Sequence, residues 1–428
     1  MHLDRVVEDL QIGDSVEAFE EDWDEARAGA PEGTPSFLEP EAVREASEIA
    51  RIPEVFLGDI VAAAEEIGRK PSASALAWHA YWWMHETDDF SFERVRSWPR
   101  LVDPLGETGA LLYLISLIAG HGKMRAIHRR HEIPDQVVAD TLSQIELYLR
   151  TTSEVQGFPE VLPYLVAWLM NHYRGEIYRL ARLQFQFRDS HYRIRVFRSS
   201  ETGQVVALSE DGVRYRPDGQ ILRDVDDPGG SWEAQLSVED GVAAGNPIVP
   251  EGRALPDQIT LPLDEWKQEL APGDPVLAIH IPGGESMDYD QCGAAFEQAL
   301  EFFPRHFPNY DFSAFTCASW ILDTAIQELA PSQSNMVRFQ REVYLFPVGL
   351  REDSLYSGLF GGIMRYGGAR PEPPEDLSKA PRDTSLQRAY LDAMEGQGVV
   401  SAAGGCFLLP EDVDWGSQVY LSQPPIVV

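Results

Sequence analysis

The sequence predicts an α+β fold, a helical N-terminal domain followed by a mixed β-sheet domain with flanking helices. Two observations carry this. Apolar residues recur at three-to-four spacing over residues 1 to about 175, then change to alternation near residue 178. Farther on, residues 276–346 read strand, Gly-Gly loop, helix, strand, helix, strand.

The three-to-four spacing predicts helices over 42–49, 53–67, 73–84, 109–118, 134–149 and 163–173. Pro134 suits a first helical turn, and Asp135 beside it complements the helix dipole. The segments 29–40 and 97–104 read as loops. The cluster AWHAYWWMHE carries His79 and His85, six apart, which is not a helical metal spacing. It is expected to pack a helix or to border a pocket.

Alternation begins in 178–187, with Leu183, Phe185 and Phe187 on one side and Gln184 and Gln186 on the other. It recurs in 192–197. Short strands at 205–208 and 213–215 flank Glu210-Asp211-Gly212, a hairpin signal. Residues 224–258, rich in Asp, Gly and Pro, read as a long loop, and 263–270 as a short amphipathic helix. The strand 276–281 is stopped by Pro282-Gly283-Gly284. A helix is expected over 289–306, a strand over 310–320, a helix over 321–330 and a strand over 336–346. After 350 the chain reads as irregular to 385, then as a helix over 386–394. Segments 399–409 and 419–421 suit a terminal strand pair. The implied domains are 1–175, 176–350 and a C-terminal extension, 351–428.

Composition narrows the function. With 35 basic and 69 acidic residues the net charge is −34, which repels nucleic acid and anionic membranes. An anionic ligand would need local arginines or backbone amides to offset that field. The 3 cysteines, Cys292, Cys317 and Cys406, are too few and scattered for a disulfide framework or a zinc site. They suit a reducing cytoplasm. The first residues are acidic and lack a signal-peptide apolar stretch, and the longest apolar run, 111–119, is too short to span a bilayer.

Several residues can carry chemistry. A strand, glycine turn and helix place backbone N–H groups and a helix N-terminus at a sheet end, here Gly283, Gly284 and Ser286, where an anionic phosphate can sit. His280, just before that loop, is a candidate general base; a structural hydrogen bond across the sheet would also explain it. Glu285 can relay a proton through water, or is a solvated loop acid. Cys317 shares a strand face with Phe315 and Ser319 and can be read as a nucleophile with His280 as its base, or as a small core residue. Ser319, Trp320 and Asp323 mark a strand-to-helix junction, where Trp320 can wall a pocket. Ser334 and Asn335 open the last strand. Arg338, Gln340 and Glu342 alternate along it, continued by Tyr344, and can line an acceptor site or an exposed sheet face. Arg182 heads a similar row with Gln184 and Gln186 and can contact an anion.

Other segments resemble a known family. AIHIP–G, AFEQALEFFPRHFP, AFTCASWILD, LAPSQSNMVRFQREV, the RLQF at 182–185 and the helix IPDQVVADTLSQIELYL resemble bacterial acyltransferase-domain proteins. These have a helical N-terminal domain and a GNAT-like C-terminal domain. The resemblance covers 130–188 and 259–348 well. The chain departs from it in an insert at about 189–258, in the extension after 350, and in the loop 283–288. GNAT enzymes carry Gln/Arg-x-x-Gly-x-Gly/Ala there, whereas this loop has two acids and no base.

The resemblance implies transfer of an acyl group from acyl-CoA, as cosubstrate, to the amine of a small molecule by direct attack. His280, helped by Glu285, would take the proton, and the Gly283-Gly284 amides would hold phosphate or the thioester oxygen. Ser334 and Asn335 would bond pantetheine, and Tyr344 would protonate the departing thiolate. No metal is expected. Two rival readings stand beside it: a Cys317-dependent acyl-enzyme transferase or hydrolase, and a non-catalytic GNAT-like binding module.

Overall fold

Proline and apolar spacing set the helices of the first part of the chain. In the computed structural model, which describes residues 1–222, 229–349, 354–361, 376–396 and 403–426, the principal ones are Pro40–Ile49, Glu54–Arg69, Pro71–His85, Glu107–Ile118, Asp135–Gln156 and Pro163–Tyr173. Pro40, Pro71 and Pro163 occupy first turns, where a missing N–H costs nothing. Pro134 sits one place earlier, as the N-cap. Glu107–Ile118 is buried without a break from Gly109 to Ile118 and packs against Glu54–Arg69 and Pro71–His85, as a helix apolar on all sides must. Among the described residues no helix is long and apolar enough to cross a membrane.

The chain divides into two compact units, Met1–Arg179 and Leu180–Val428, with the boundary inside the first strand, β1 (Ile177–Leu180). The run expected as one strand over 178–187 breaks at Ala181, which takes φ 45, and resumes as β2 (Leu183–Asp189).

The insert that follows is built of strands. β3 (Ile194–Ser199), β4 (Val205–Ser209), β5 (Arg214–Tyr215), β6 (Trp232–Glu233), β7 (Leu236–Glu239), β8 (Val242–Gly245), β9 (Pro247–Val249), β10 (Arg253–Ala254), β11 (Ile259–Pro262) and β12 (Trp266–Leu270) make three small sheets. Three expectations fail here. The segment 224–258 is not a long loop; its part at 223–228 lies outside the described residues. Glu210-Asp211-Gly212 does not close a hairpin, because β4 pairs with β3 and β9 while β5 pairs with β6. The segment 263–270 is no helix, since β12 runs antiparallel to β3. Its register shifts between Gln268 and Leu270, and that irregularity gives Trp266 and Leu270 a helix-like spacing within a strand.

The principal sheet has six strands in the order β1-β2-β13-β14-β16-β15, where β13 is Pro275–His280, β14 Ala314–Asp323, β15 Tyr344–Pro347 and β16 Ala403–Leu408. β13 is antiparallel to β2 and parallel to β14, and the crossover between β13 and β14 is the helix Tyr289–His306, as expected. β14 extends to Asp323, so the expected helix over 321–330 shrinks to Ala325–Leu329.

The expected strand over 336–346 is instead a helix, Asn335–Glu342, followed by β15. Residues 354–360 form a helix rather than irregular chain, and the helix over 386–394 is found as Ser385–Gly396. The terminal strand pair does not form. β16 lies between β14 and β15, and Val419–Leu421 is a turn. The segment taken as an extension therefore supplies an interior strand of the main sheet.

Candidate active site

Register assigns every side chain of the principal sheet to a face. Leu277 lies opposite Phe315 and Phe187, and Ile279 opposite Phe185. Phe185 and Phe315 meet Phe296 of the helix Tyr289–His306, with ring centroids 5.1 to 5.9 Å apart. Residues one place along belong to the other face. Gln186, Ala278 and Thr316 lie abreast, and Gln184 lies opposite His280. Gln184, Gln186 and Thr316 are buried polar groups on that face, where Phe407 lies opposite Thr316 and stacks on Tyr344.

The parallel ladder of β13 and β14 ends at Ala278 and Thr316, although β13 continues to His280 and β14 to Asp323. His280 thus stands past the last parallel pair, while Ala318 on β14 is exposed. Its Nε2 lies 3.0 Å from Gln186 Oε1. An amide oxygen only accepts, so Nε2 carries the proton and Nδ1 the lone pair. Burial, with Arg188 adding to it, pulls the pKa of His280 down to about 4, so the ring is neutral at pH 7.

The loop after β13 lacks a base of its own but receives one. Arg182, buried in the turn between β1 and β2, donates from Nη2 to the carbonyls of Pro282 at 2.7 Å and Glu285 at 3.0 Å, and from Nε to Ser286 O at 2.9 Å. A planar trans peptide points its N–H opposite to its C=O. Drawing those carbonyls toward Arg182 therefore turns the N–H groups of Gly283, Ser286 and Met287 to the other side of the loop. The N–H groups of Gly283, Gly284, Ser286 and Met287 have no partner among the described residues, and Gly284 takes φ +81. Asp288, which counted as a loop acid, is the N-cap of the helix Tyr289–His306 and accepts from Gln291 N at 2.9 Å. The Asp-x-x-Gln spacing is the sequence signal for that cap.

Several expected site residues serve elsewhere. Cys317 faces the aromatic side with Phe315, opposite to His280, so the two are not brought together; burial pushes its thiol up to about 12. Its cross-strand neighbour is Cys406, and both are free thiols. Tyr344 is fully buried, stacks on Phe407, and donates to Ile248 O; a hydroxyl enclosed there does not meet a departing thiolate. Trp320 packs on Gly358, in the cluster around Ile326, Val337 and Phe360. Ser334 caps the helix Asn335–Glu342, accepting from Val337 N, and Asn335 begins that helix. Glu285 has an exposed side chain, and its backbone serves Arg182.

The row Arg338, Gln340 and Glu342 lies on a helix, not a strand. Gln340 donates to the carbonyls of Ile321 and Asp323 at 2.7 and 3.0 Å. Arg338 lies 3.5 Å from the ring centroid of Tyr289, the first residue of the helix Tyr289–His306. Glu342, buried, accepts from Tyr289 OH at 2.6 Å and from Gly416 N and Gln418 N at 3.0 and 3.2 Å. Trp415 donates to Tyr289 O at 3.0 Å and leaves no room for a side chain at Gly293. These residues fix the start of the helix that follows the loop. Trp415 and Thr316 had no motif to announce them. Among the described residues no group of His, Cys, Asp and Glu could hold a metal ion.

Comparison with known proteins agrees with this geometry. Residues 41–175 match the family model described as the N-acyltransferase N-terminal domain, and residues 177–407 match the GNAT-like C-terminal domain. No curated protein matches the chain. An acyltransferase mutant in complex with octanoyl-CoA is similar in structure, with TM-score 0.62, 20% identity, and 96% of this chain and 99% of that one covered. An acyltransferase in complex with decanoyl-CoA and teicoplanin has TM-score 0.63 at 20% identity and the same coverage. At that identity the likeness speaks for the fold.

Proposed function

The chain belongs to the N-acyltransferase family with a GNAT-like C-terminal domain, and on that premise we propose that it moves an acyl group from acyl-CoA to the amine of a small molecule by direct attack. The observation that carries this reading is the end of the β13–β14 ladder at Ala278 and Thr316, with His280 and the Arg182-held loop immediately beyond it. The amide groups of that loop and the start of the helix Tyr289–His306 suit an anionic phosphate without a basic side chain in the loop itself. Similar structures that hold octanoyl-CoA or decanoyl-CoA support the same class of cosubstrate here.

In this mechanism the amine nitrogen attacks the thioester carbonyl carbon and the C–N bond forms. His280 Nδ1 takes the proton that nitrogen sheds. The C–S bond then breaks, and the CoA thiolate recovers a proton from the imidazolium. Tyr344 and Cys317 have no part in it.

The test is calorimetric titration with octanoyl-CoA and decanoyl-CoA, followed by release of free thiol on adding a panel of small amines. Saturable binding and amine-dependent thiol release are expected. His280→Ala should keep the binding and slow release about a hundredfold, within the usual range for a lost general base. Failure of either acyl-CoA to bind would sink the proposal.

A further inference from the structure

The polar face of the principal sheet has two ends. At one, β13 runs past the last parallel pair to His280 and the loop held by Arg182. At the other stands Arg188 on β2. Register pairs Gln184 with His280, Gln186 with Ala278 and Arg188 with Val276, so Arg188 belongs to the same face as Gln186 and His280. Between the two ends lies Ala278, only half-buried although its strand is interior to the sheet. A methyl group there leaves the face open between Arg188 and His280.

Arg188 is fixed at its backbone and free at its head. Tyr310 OH accepts from Arg188 N at 3.2 Å and lies 2.9 and 2.8 Å from the carbonyls of Arg188 and Val276. The side chain is exposed and, among the described residues, has no ion pair or hydrogen bond. The arginines nearest it in the chain are engaged: Arg182 with loop carbonyls, Arg193 with Asp211 O, and Arg195 with Glu210 at 2.7 Å. Asp189, next along the strand, belongs to the other face, and Asp274 turns back to accept from Ala271 N at 2.6 Å. The charge of Arg188 reaches His280, where it adds to burial in lowering the pKa. Arg188 stands four places from the residue opposite His280, roughly 13 Å along the strand, on the side away from the loop amides. It is therefore not placed for the cosubstrate phosphates that those amides suit.

We propose that Arg188 binds a carboxylate of the acceptor, so that the amine substrate is an amino acid whose amine reaches His280 while its carboxylate lies against Arg188. A guanidinium offers a carboxylate two parallel N–H donors. The inference rests on the transfer reading and names the class of acceptor. With a net charge of −34 the chain as a whole repels carboxylates, so a preference for them has to come from a local cation.

The experiment measures thiol release from saturating octanoyl-CoA with 4-aminobutyrate, 5-aminopentanoate and 6-aminohexanoate, and in parallel with butylamine, pentylamine and hexylamine. Within each pair the amines are similarly basic and the carboxylate is the difference. The amino acids should show KM about tenfold below that of the alkylamines, and Arg188→Gln should remove that advantage with kcat within about twofold. Arg188→Lys should keep part of it. Equal KM for the two series, or an equal effect of Arg188→Gln on both, overturns the inference and leaves the transfer reading standing. Weaker octanoyl-CoA binding in Arg188→Gln also overturns it, by giving Arg188 to the cosubstrate, and so does bound octanoyl-CoA that releases thiol with neither series. Octanoyl-CoA and decanoyl-CoA that both fail to bind the unmodified chain sink the transfer reading itself, and this inference with it.

Discussion

The two faces of the principal sheet are made from the same strands, yet they do different work. On one face Phe185 and Phe315 meet Phe296 of the covering helix in edge-to-face contacts, with Leu277 opposite Phe315. On the other, one residue along each strand, lie Gln184, Gln186, Thr316 and His280. The difference teaches that chemistry here is assigned by parity. A candidate of the right type but the wrong parity, as Cys317 is, belongs to the core whatever its intrinsic reactivity.

The contrast can be broken from either side. The largest effect is expected on the aromatic face: Phe296→Ala should cost about 3–5 kcal/mol in denaturant unfolding while activity per folded molecule persists. Next comes acid. The folded pKa values of His85, His128 and His280 are held near about 4 by burial, against about 6.5 in the unfolded chain. The unfolded state therefore binds more protons between those values. Stability is full above pH ~6.5 and falls as pH drops toward ~4, by at most about 3 kcal/mol for each histidine. Denaturation midpoints measured at pH 7.5, 5.5 and 4.5 check this; a midpoint that rises in acid would refute it.

On the polar face, His280→Ala should slow thiol release about a hundredfold with little loss of stability. A variant that unfolds instead would make His280 a structural group. Arg182→Ala frees three loop carbonyls and should weaken octanoyl-CoA binding about tenfold, roughly 1.4 kcal/mol, with the transfer rate at saturation less affected. The smallest effect is expected from Cys317→Ala, which should leave turnover within about twofold. Loss of activity there would revive an acyl-enzyme route.

How much of this was legible in the sequence depends on where polar groups are buried. The helix Tyr289–His306 was read with its boundaries because its inward residues, Phe296, Ala299 and Phe303, are apolar. The helix Asn335–Glu342 was read as a strand because two of its inward positions are Gln340 and Glu342. Buried at helical spacing behind Val337 and Phe339, they broke the apolar stripe and left an apparent alternation. His280 and the glycine loop could be singled out from local order alone. Arg182 could be named as an anion contact, but its grip on the loop spans a hundred residues of chain and needed the fold. Trp415 and the strand at 403–408 had no local pattern to tie them to the sheet.

The place of β16 also bears on how the molecule is made. A ribosome delivers β14 and β15 well before residues 403–408 emerge, and until then the two strands lack the partner that joins them. Each waits with an unpaired edge, the kind of surface on which nascent chains associate. The clasp of Glu342 on Gly416 and Gln418 is later still. The start of the helix beside the loop is thus tied down only after the strands of the main sheet have been made.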